Sequence, residues 1–169
     1  MHSGSRVPLN SLSRHFEPLG GRIQAAAEKV IASGHYILGP EVEAFQDSFA
    51  HYCGVAHCVG VANGTDALEI ALKAVNVGPG DLVATVANAA MYGTSAVLAC
   101  GAEPVFVDTA PGCATMDPQA FAAILEAHPS IKAVIVTHLY GRLAEIEPIM
   151  AAAASRGVSV VEDCAQAHG

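Results

Sequence analysis

Residues 131–163 read IKAVIVTHLYGRLAEIEPIMAAAASRGVSVVED. Two short β-branched runs, Ala133–His138 and Ser159–Asp163, flank an alanine-rich stretch, Glu145–Ser155, that has helical apolar spacing and is punctuated by Gly157. A strand apolar at nearly every position is covered on both faces, and two such strands joined by a crossover helix run parallel. The unit predicts an α/β domain with a mostly parallel sheet.

The same alternation extends upstream. Strands are expected over Cys58–Ala62, Leu82–Ala87 and Pro104–Asp108, and helices over Thr65–Ala74, Met91–Ala99 and Pro118–Ala127, with Gly78-Pro79-Gly80 and Gly101 at helix ends. Ahead of them lie helix-like stretches at Ile23–Ala32 and Glu41–His51. Pro40 suits a first helical turn, and Glu41 and Glu43 suit the positive end of the helix dipole. The chain therefore divides into an N-terminal helical arm (1–55) and a partial sheet domain (56–169). A parallel strand ordinarily feeds a helix that covers it, and only six residues follow Asp163, so the reading expects the front portion of a longer fold.

Composition narrows the function classes. With 52% hydrophobic and 14% charged residues and a mean hydropathy of +0.40, the chain can build a core. A net charge of −8 and the lack of a basic patch speak against nucleic acid. Leu82–Ala102 is uncharged and long enough to span a bilayer, but Thr85, Asn88, Gly93, Thr94 and Ser95 interrupt it, so no membrane span is expected. The polar start, Met1–Ser13, lacks the apolar core of a signal peptide, which makes the cytoplasm the expected compartment. Cys53, Cys58, Cys100, Cys113 and Cys164 are odd in number and irregularly spaced, and are read as reduced thiols. His51, Cys53, His57 and Cys58 fit no zinc spacing, and no metal is expected.

Two motifs carry chemistry. Asn63-Gly64-Thr65-Asp66-Ala67-Leu68 sits at a strand-to-helix turn, where free N–H groups and the helix dipole can receive a phosphate; an ordinary N-cap is the alternative. The turn lacks the G-x-G-x-x-G spacing of a dinucleotide site, and no Gly-Lys-Ser/Thr marks a P-loop. Glu162-Asp163-Cys164-Ala165-Gln166-Ala167-His168 places Asp163 at the carboxyl end of a buried strand, where open α/β sheets bind ligands. A carboxylate there either caps a turn or meets a cation, and a protonated pyridine nitrogen is a cation that suits a phosphate site on the same sheet.

From about Phe16 onward the chain resembles the N-terminal part of the DegT/DnrJ/EryC1/StrS family of PLP-dependent sugar aminotransferases. The resemblance rests on Gly34–Phe45, Asn63–Leu68, Gly101–Asp108, His138-Leu139-Tyr140-Gly141 and Glu162–Gly169, matched in order. It implies the three-layer large domain of fold type I, truncated before its C-terminal portion, with pyridoxal 5′-phosphate as cofactor. By the same resemblance Gly64 and Thr65 are similar to the phosphate-cup residues, Asp163 to the partner of the pyridine nitrogen, and Gln166 to the glutamine beside the phenolic oxygen. His138 would face the same crevice, or be a satisfied strand-end histidine. At the ring-stacking position the chain has Ala90, with Tyr92 two residues on; either Tyr92 is the substitute or the stack is missing. Lys29, Lys73 and Lys132 do not match the family's Schiff-base lysine, so no catalytic residue is assigned and the chain alone is expected to be inactive.

For a complete parent the resemblance implies transfer of an amino group, commonly from glutamate, to a nucleotide-linked keto-sugar, in a homodimer. A PLP-dependent sugar dehydratase stays open. So does a non-catalytic short relative that binds a phosphate ligand or a full-length homologue.

Overall fold

The computed structural model describes residue 8 and residues 11–168, in two compact units, Met1–Gly60 and Val61–Gly169. The first unit holds α1 (Ser13–Ser33) and α2 (Pro40–Cys53). Helix α1 begins at Ser13, well before the expected Ile23. Pro18 forfeits one backbone bond close to the helix start, and Gly20 and Gly21 each cost about 1 kcal/mol against alanine, penalties that weaken a helix without ending it. Helix α2 opens with Pro40 and carries Glu41 and Glu43 in its first turn.

The second unit runs α3 (Gly64–Ala74), β1 (Leu82–Val86), α4 (Tyr92–Ala99), β2 (Glu103–Val107), α5 (Pro118–Ala127), β3 (Ile131–Thr137), a 3-10 turn (Leu139–Gly141), α6 (Ile146–Ser155) and β4 (Ser159–Asp163). Its strands form one parallel sheet in the order β2-β1-β3-β4. The strand expected at Cys58–Ala62 is absent. This stretch pairs with no strand of the sheet, and the Gly60 N–H donates to the Gln46 side chain at 2.7 Å in place of a ladder carbonyl. Apolar residues encode an extended chain; they do not supply the neighbouring strand.

Strand alternation sorts the core into two layers. Val83, Ala133 and Ile135 face Leu68 and Leu72 of α3 and Ala96 and Val97 of α4. Ala84, Val134 and Val136 face Phe121 and Leu125 of α5 and Ile149 of α6. The sheet is thus covered on both faces, a three-layer α/β arrangement. Chain direction along the sheet reverses between β1, whose crossover leads to β2, and β3, whose crossover leads to β4. In open α/β sheets such a reversal opens a crevice at the carboxyl ends of the strands. Gly93 makes room for α4 against the sheet, since a Cβ there would lie 3.1 Å from Thr85 Oγ1. Leu82–Ala102 resolves into β1, a turn, α4 and the start of β2's approach. Among the described residues no helix is long and apolar enough to cross a membrane.

At the opposite, amino-terminal end of the strands, Asp81 accepts from Lys132 Nζ and from the Gly78 N–H, both at 2.8 Å. The lysine hydrogen bond, then the Gly78 N–H, hold its carboxyl below the ordinary carboxylate value. A depressed folded-state value contributes stability above the unfolded pKa of about 4, and that contribution is lost as pH falls through the folded value. Asp81→Asn should therefore lower the thermal midpoint near neutrality and flatten its acid limb below about pH 4, as followed by circular dichroism. An unchanged acid limb would refute the linkage.

Candidate cofactor site

Helix α3 starts on a side-chain cap. Asn63 is extended (φ −161°), its Oδ1 accepts from the Asp66 N–H at 2.9 Å, and its Nδ2 donates to Asp66 Oδ2 at 3.0 Å. The Asn63 carbonyl takes the Ala67 N–H. A helix leaves its first four N–H groups without internal partners, and this cap satisfies only the later ones. The N–H groups of Gly64 and Thr65 have no partner among the described residues. Both readings of the motif therefore hold together: it caps the helix, and it leaves two donors at the positive end of the dipole.

These donors border a cavity of about 350 Å³ lined by Asn63, Gly64, Thr65, Leu68, Tyr92, Asp163 and Ala165. A Cβ built on Gly64 meets nothing within 4 Å. Asp163 ends β4 on the α3 side of the sheet, where Val161 also packs. Its Oδ1 accepts the Ala165 N–H at 3.2 Å, and its Oδ2 accepts the hydroxyl of buried Thr137 at 3.4 Å. Each oxygen keeps a further lone-pair direction for a cation. Thr137 was not singled out from sequence; its pairing opposite Asp163 in the β3–β4 register is the signal that places it.

Tyr92 opens α4 beside the cavity. Ala90 lies in the preceding turn with φ 52° and does not line it. The Asn88 amide donates to the Ala114 carbonyl at 2.8 Å and ties this turn down.

The structure does not bring His138 or Gln166 into the lining. His138 follows Thr137, so the alternation of β3 sends its ring to the opposite face of the sheet, corresponding to the strand-end alternative. There it is buried, with Nε2 3.0 Å from Glu162 Oε2 and Nδ1 accepting the Ala144 N–H at 3.0 Å. With Nδ1 an acceptor, the ring hydrogen sits on Nε2 and is donated to Glu162. His138, Glu162 and Cys164 bring ligand-type atoms within 4.8 Å of one another, but both ring nitrogens are already committed, which leaves no imidazole lone pair for a metal. Gln166 Oε1 accepts the Tyr140 N–H at 2.6 Å. Tyr140 itself is left-handed (φ 58°, ψ 27°), a conformation that costs a non-glycine residue about 1 kcal/mol or more and persists only where neighbours hold it.

Of the lysines in the second unit, Lys73 pairs with Glu69 and Lys132 with Asp81, and neither lines the cavity; within the first unit Lys29 pairs with Glu41.

The fold, a parallel sheet covered on both faces, is one the chain shares with solved aminotransferases of the PLP-dependent class. The structure of S. venezuelae DesV, solved with a ketimine intermediate, superposes with a TM-score of 0.92 at 40% identity over 97% of this chain and 44% of that one. The NtdA protein of Bacillus subtilis, solved with bound cofactor PMP, does so at 0.87 and 31% identity over 95% and 37%. In sequence the chain is 46% identical, over 85% of its length and 38% of the relative's, to the dTDP-3-amino-3,4,6-trideoxy-alpha-D-glucose transaminase of Micromonospora megalomicea subsp. nigra.

The chain belongs to the DegT/DnrJ/EryC1/StrS aminotransferase family, whose model matches residues 18–169. It spans less than half the length of the relatives named here.

Proposed function

We propose that this chain forms the cofactor-cradling portion of a PLP-dependent aminotransferase acting on a nucleotide-linked keto-sugar, with an amino acid, commonly glutamate, as donor. In this reading residues 56–169 are part of the large domain and residues 1–55 its helical arm. The observation that carries it is the meeting of two unpartnered N–H groups, Gly64 and Thr65, with the Asp163 carboxylate in one cavity. A phosphate and a protonated ring nitrogen are the complementary charges, and pyridoxal phosphate carries both.

When bound, the cofactor supplies an electron sink for charge developing at an amino-acid Cα. Gly64 and Thr65 hold the phosphate by N–H donation, with the Thr65 hydroxyl as a further donor. Asp163 would keep a proton on the ring nitrogen, Tyr92 would cover a face of the ring, and Gln166, one residue beyond the cavity-lining Ala165, would meet the phenolic oxygen. Lys73 and Lys132 pair with Glu69 and Asp81 and do not line the cavity, so neither is assigned the role of holding the cofactor covalently. The exposed Ile23, Tyr36, Ile37, Leu38, Phe45 and Tyr52 of the first unit are in keeping with a homodimer. Five cysteines outside any disulfide are in keeping with the cytoplasm.

Gly64→Pro tests the cradle. Proline is tolerated at the first helical position, and extended Asn63 suits a residue before proline, so the substitution deletes one donor and leaves the helix intact. Loss of a hydrogen bond to a charged group should weaken binding of pyridoxamine 5′-phosphate by about tenfold or more, with binding of phosphate-free pyridoxamine unchanged. Equal weakening of both ligands, or of neither, would refute the assignment.

A further inference from the structure

Among the described residues of the second unit, His138 is the one buried side chain with two ring nitrogens committed to two different segments. Nε2 holds Glu162 of β4, and Nδ1 holds the backbone at Ala144, beyond the 3-10 turn. Its own N–H donates to the Asp163 carbonyl at 3.1 Å. Between these anchor points the chain makes its strained left-handed step at Tyr140, followed by Gly141 (φ 76°), whose Cβ would lie 3.3 Å from the Gln166 carbonyl. The Tyr140 N–H released by this step is the group that takes Gln166 Oε1.

We propose that His138 is a positioning residue: its ring clasps the 139–144 segment to β4, so that the Tyr140 N–H fixes the Gln166 carboxamide with the oxygen occupied and Nε2 free to donate. A donor is what a phenolate oxygen requires, whereas a rotated amide would present its carbonyl and repel it. This role rests on the reading of Gln166 given above. It explains why a histidine outside the cavity carries two fixed partners, and why a non-glycine residue occupies a left-handed position beside it.

The test uses the full chain with pyridoxamine 5′-phosphate, which reports on the non-covalent contacts, and amide hydrogen exchange without ligand. His138→Leu removes both ring bonds and should raise exchange at Tyr140 and Ala144 by about tenfold or more. His138→Asn, whose Oδ1 stands close to the position of Nδ1, should retain the Ala144 protection and recover most of the loss. Gln166→Ala and His138→Leu should each weaken the ligand by about fivefold to tenfold, and the double variant no further, because both remove the same oriented donor. Multiplying effects, or unchanged exchange at Tyr140, overturn the proposal. Should His138→Leu not fold, Glu162→Ala removes one arm of the clasp from an exposed position and must accelerate Tyr140 exchange for the proposal to stand. Failure of the unsubstituted protein to bind the ligand would count against the cofactor reading alone, since the exchange measurements judge the clasp without it.

Discussion

Asp163→Asn is expected, under the proposed function, to lower the rate of amino transfer by the cofactor-loaded enzyme by on the order of 10²–10³-fold, the loss typical when one preorganised charge-stabilising group is removed from a site. The carboxylate is held from both sides, by the Ala165 N–H on Oδ1 and by the Thr137 hydroxyl on Oδ2. It therefore faces the cavity in one orientation at no cost of ordering during the reaction. Asparagine keeps the shape and loses the charge, and with it the reason for a proton to stay on the ring nitrogen. The N–H groups of Gly64 and Thr65, the proposed phosphate donors, are untouched by the substitution, so ligand affinity should fall far less than kcat. Steady-state rates alongside equilibrium binding of pyridoxamine 5′-phosphate separate the two. A variant with near-normal kcat would remove Asp163 from the chemistry, and one that lost affinity and rate together would make it a binding group only.

The largest effect on stability is expected from Phe121→Ala. Phe121 is the largest fully buried side chain, on α5, within the layer formed with Met116, Val134, Val136 and Ile149. Truncating a buried phenylalanine removes its transfer free energy and leaves a void that a close-packed layer fills only in part, at a cost of about 3–5 kcal/mol. Against a total of about 5–15 kcal/mol for a domain, that is enough to leave a sizeable unfolded fraction. Ile70→Ala, at a half-exposed position on α3, is the control and should cost well under half as much. Urea denaturation measures both. A Phe121 variant no less stable than the Ile70 variant would mean that the α5 layer is not part of the cooperative core.

Particular stretches show why some of this was legible in the sequence. Pro118–Ala127 and Ser159–Asp163 form the expected helix and strand because their apolar residues are consecutive or helically spaced and glycine or proline marks their ends. Asn63, a good capping residue, announced the start of α3, since capping is a local bond, here to the N–H of Asp66 three residues on. Cys58–Ala62 misled for the opposite reason. Its composition suits a strand, but a strand exists only with a neighbour, and pairing is not local information. Helix α1 was underestimated, since it starts at Ser13 and not at Ile23, and Pro18 and the Gly20-Gly21 pair are losses the helix absorbs.

The candidate site divides along the same line. Residue type and position at element ends marked Gly64, Thr65 and Asp163, because free N–H groups belong to helix starts and open α/β sheets bind ligands at strand ends. Their meeting in one cavity, with Tyr92 and not Ala90 at its wall, required the strand order β2-β1-β3-β4 and the register that sets Thr137 opposite Asp163. His138 shows the limit most plainly. One residue beyond Thr137, its ring passes to the other face of the sheet and binds Ala144, six residues on, and Glu162, 24 residues on. By itself the sequence determined the α/β class, the helix cap and the two chemically equipped ends, all set by interactions within a few residues. Which side chains share a cavity was decided only by the tertiary structure, because strand order, register and side-chain parity arise from contacts between segments far apart in the chain.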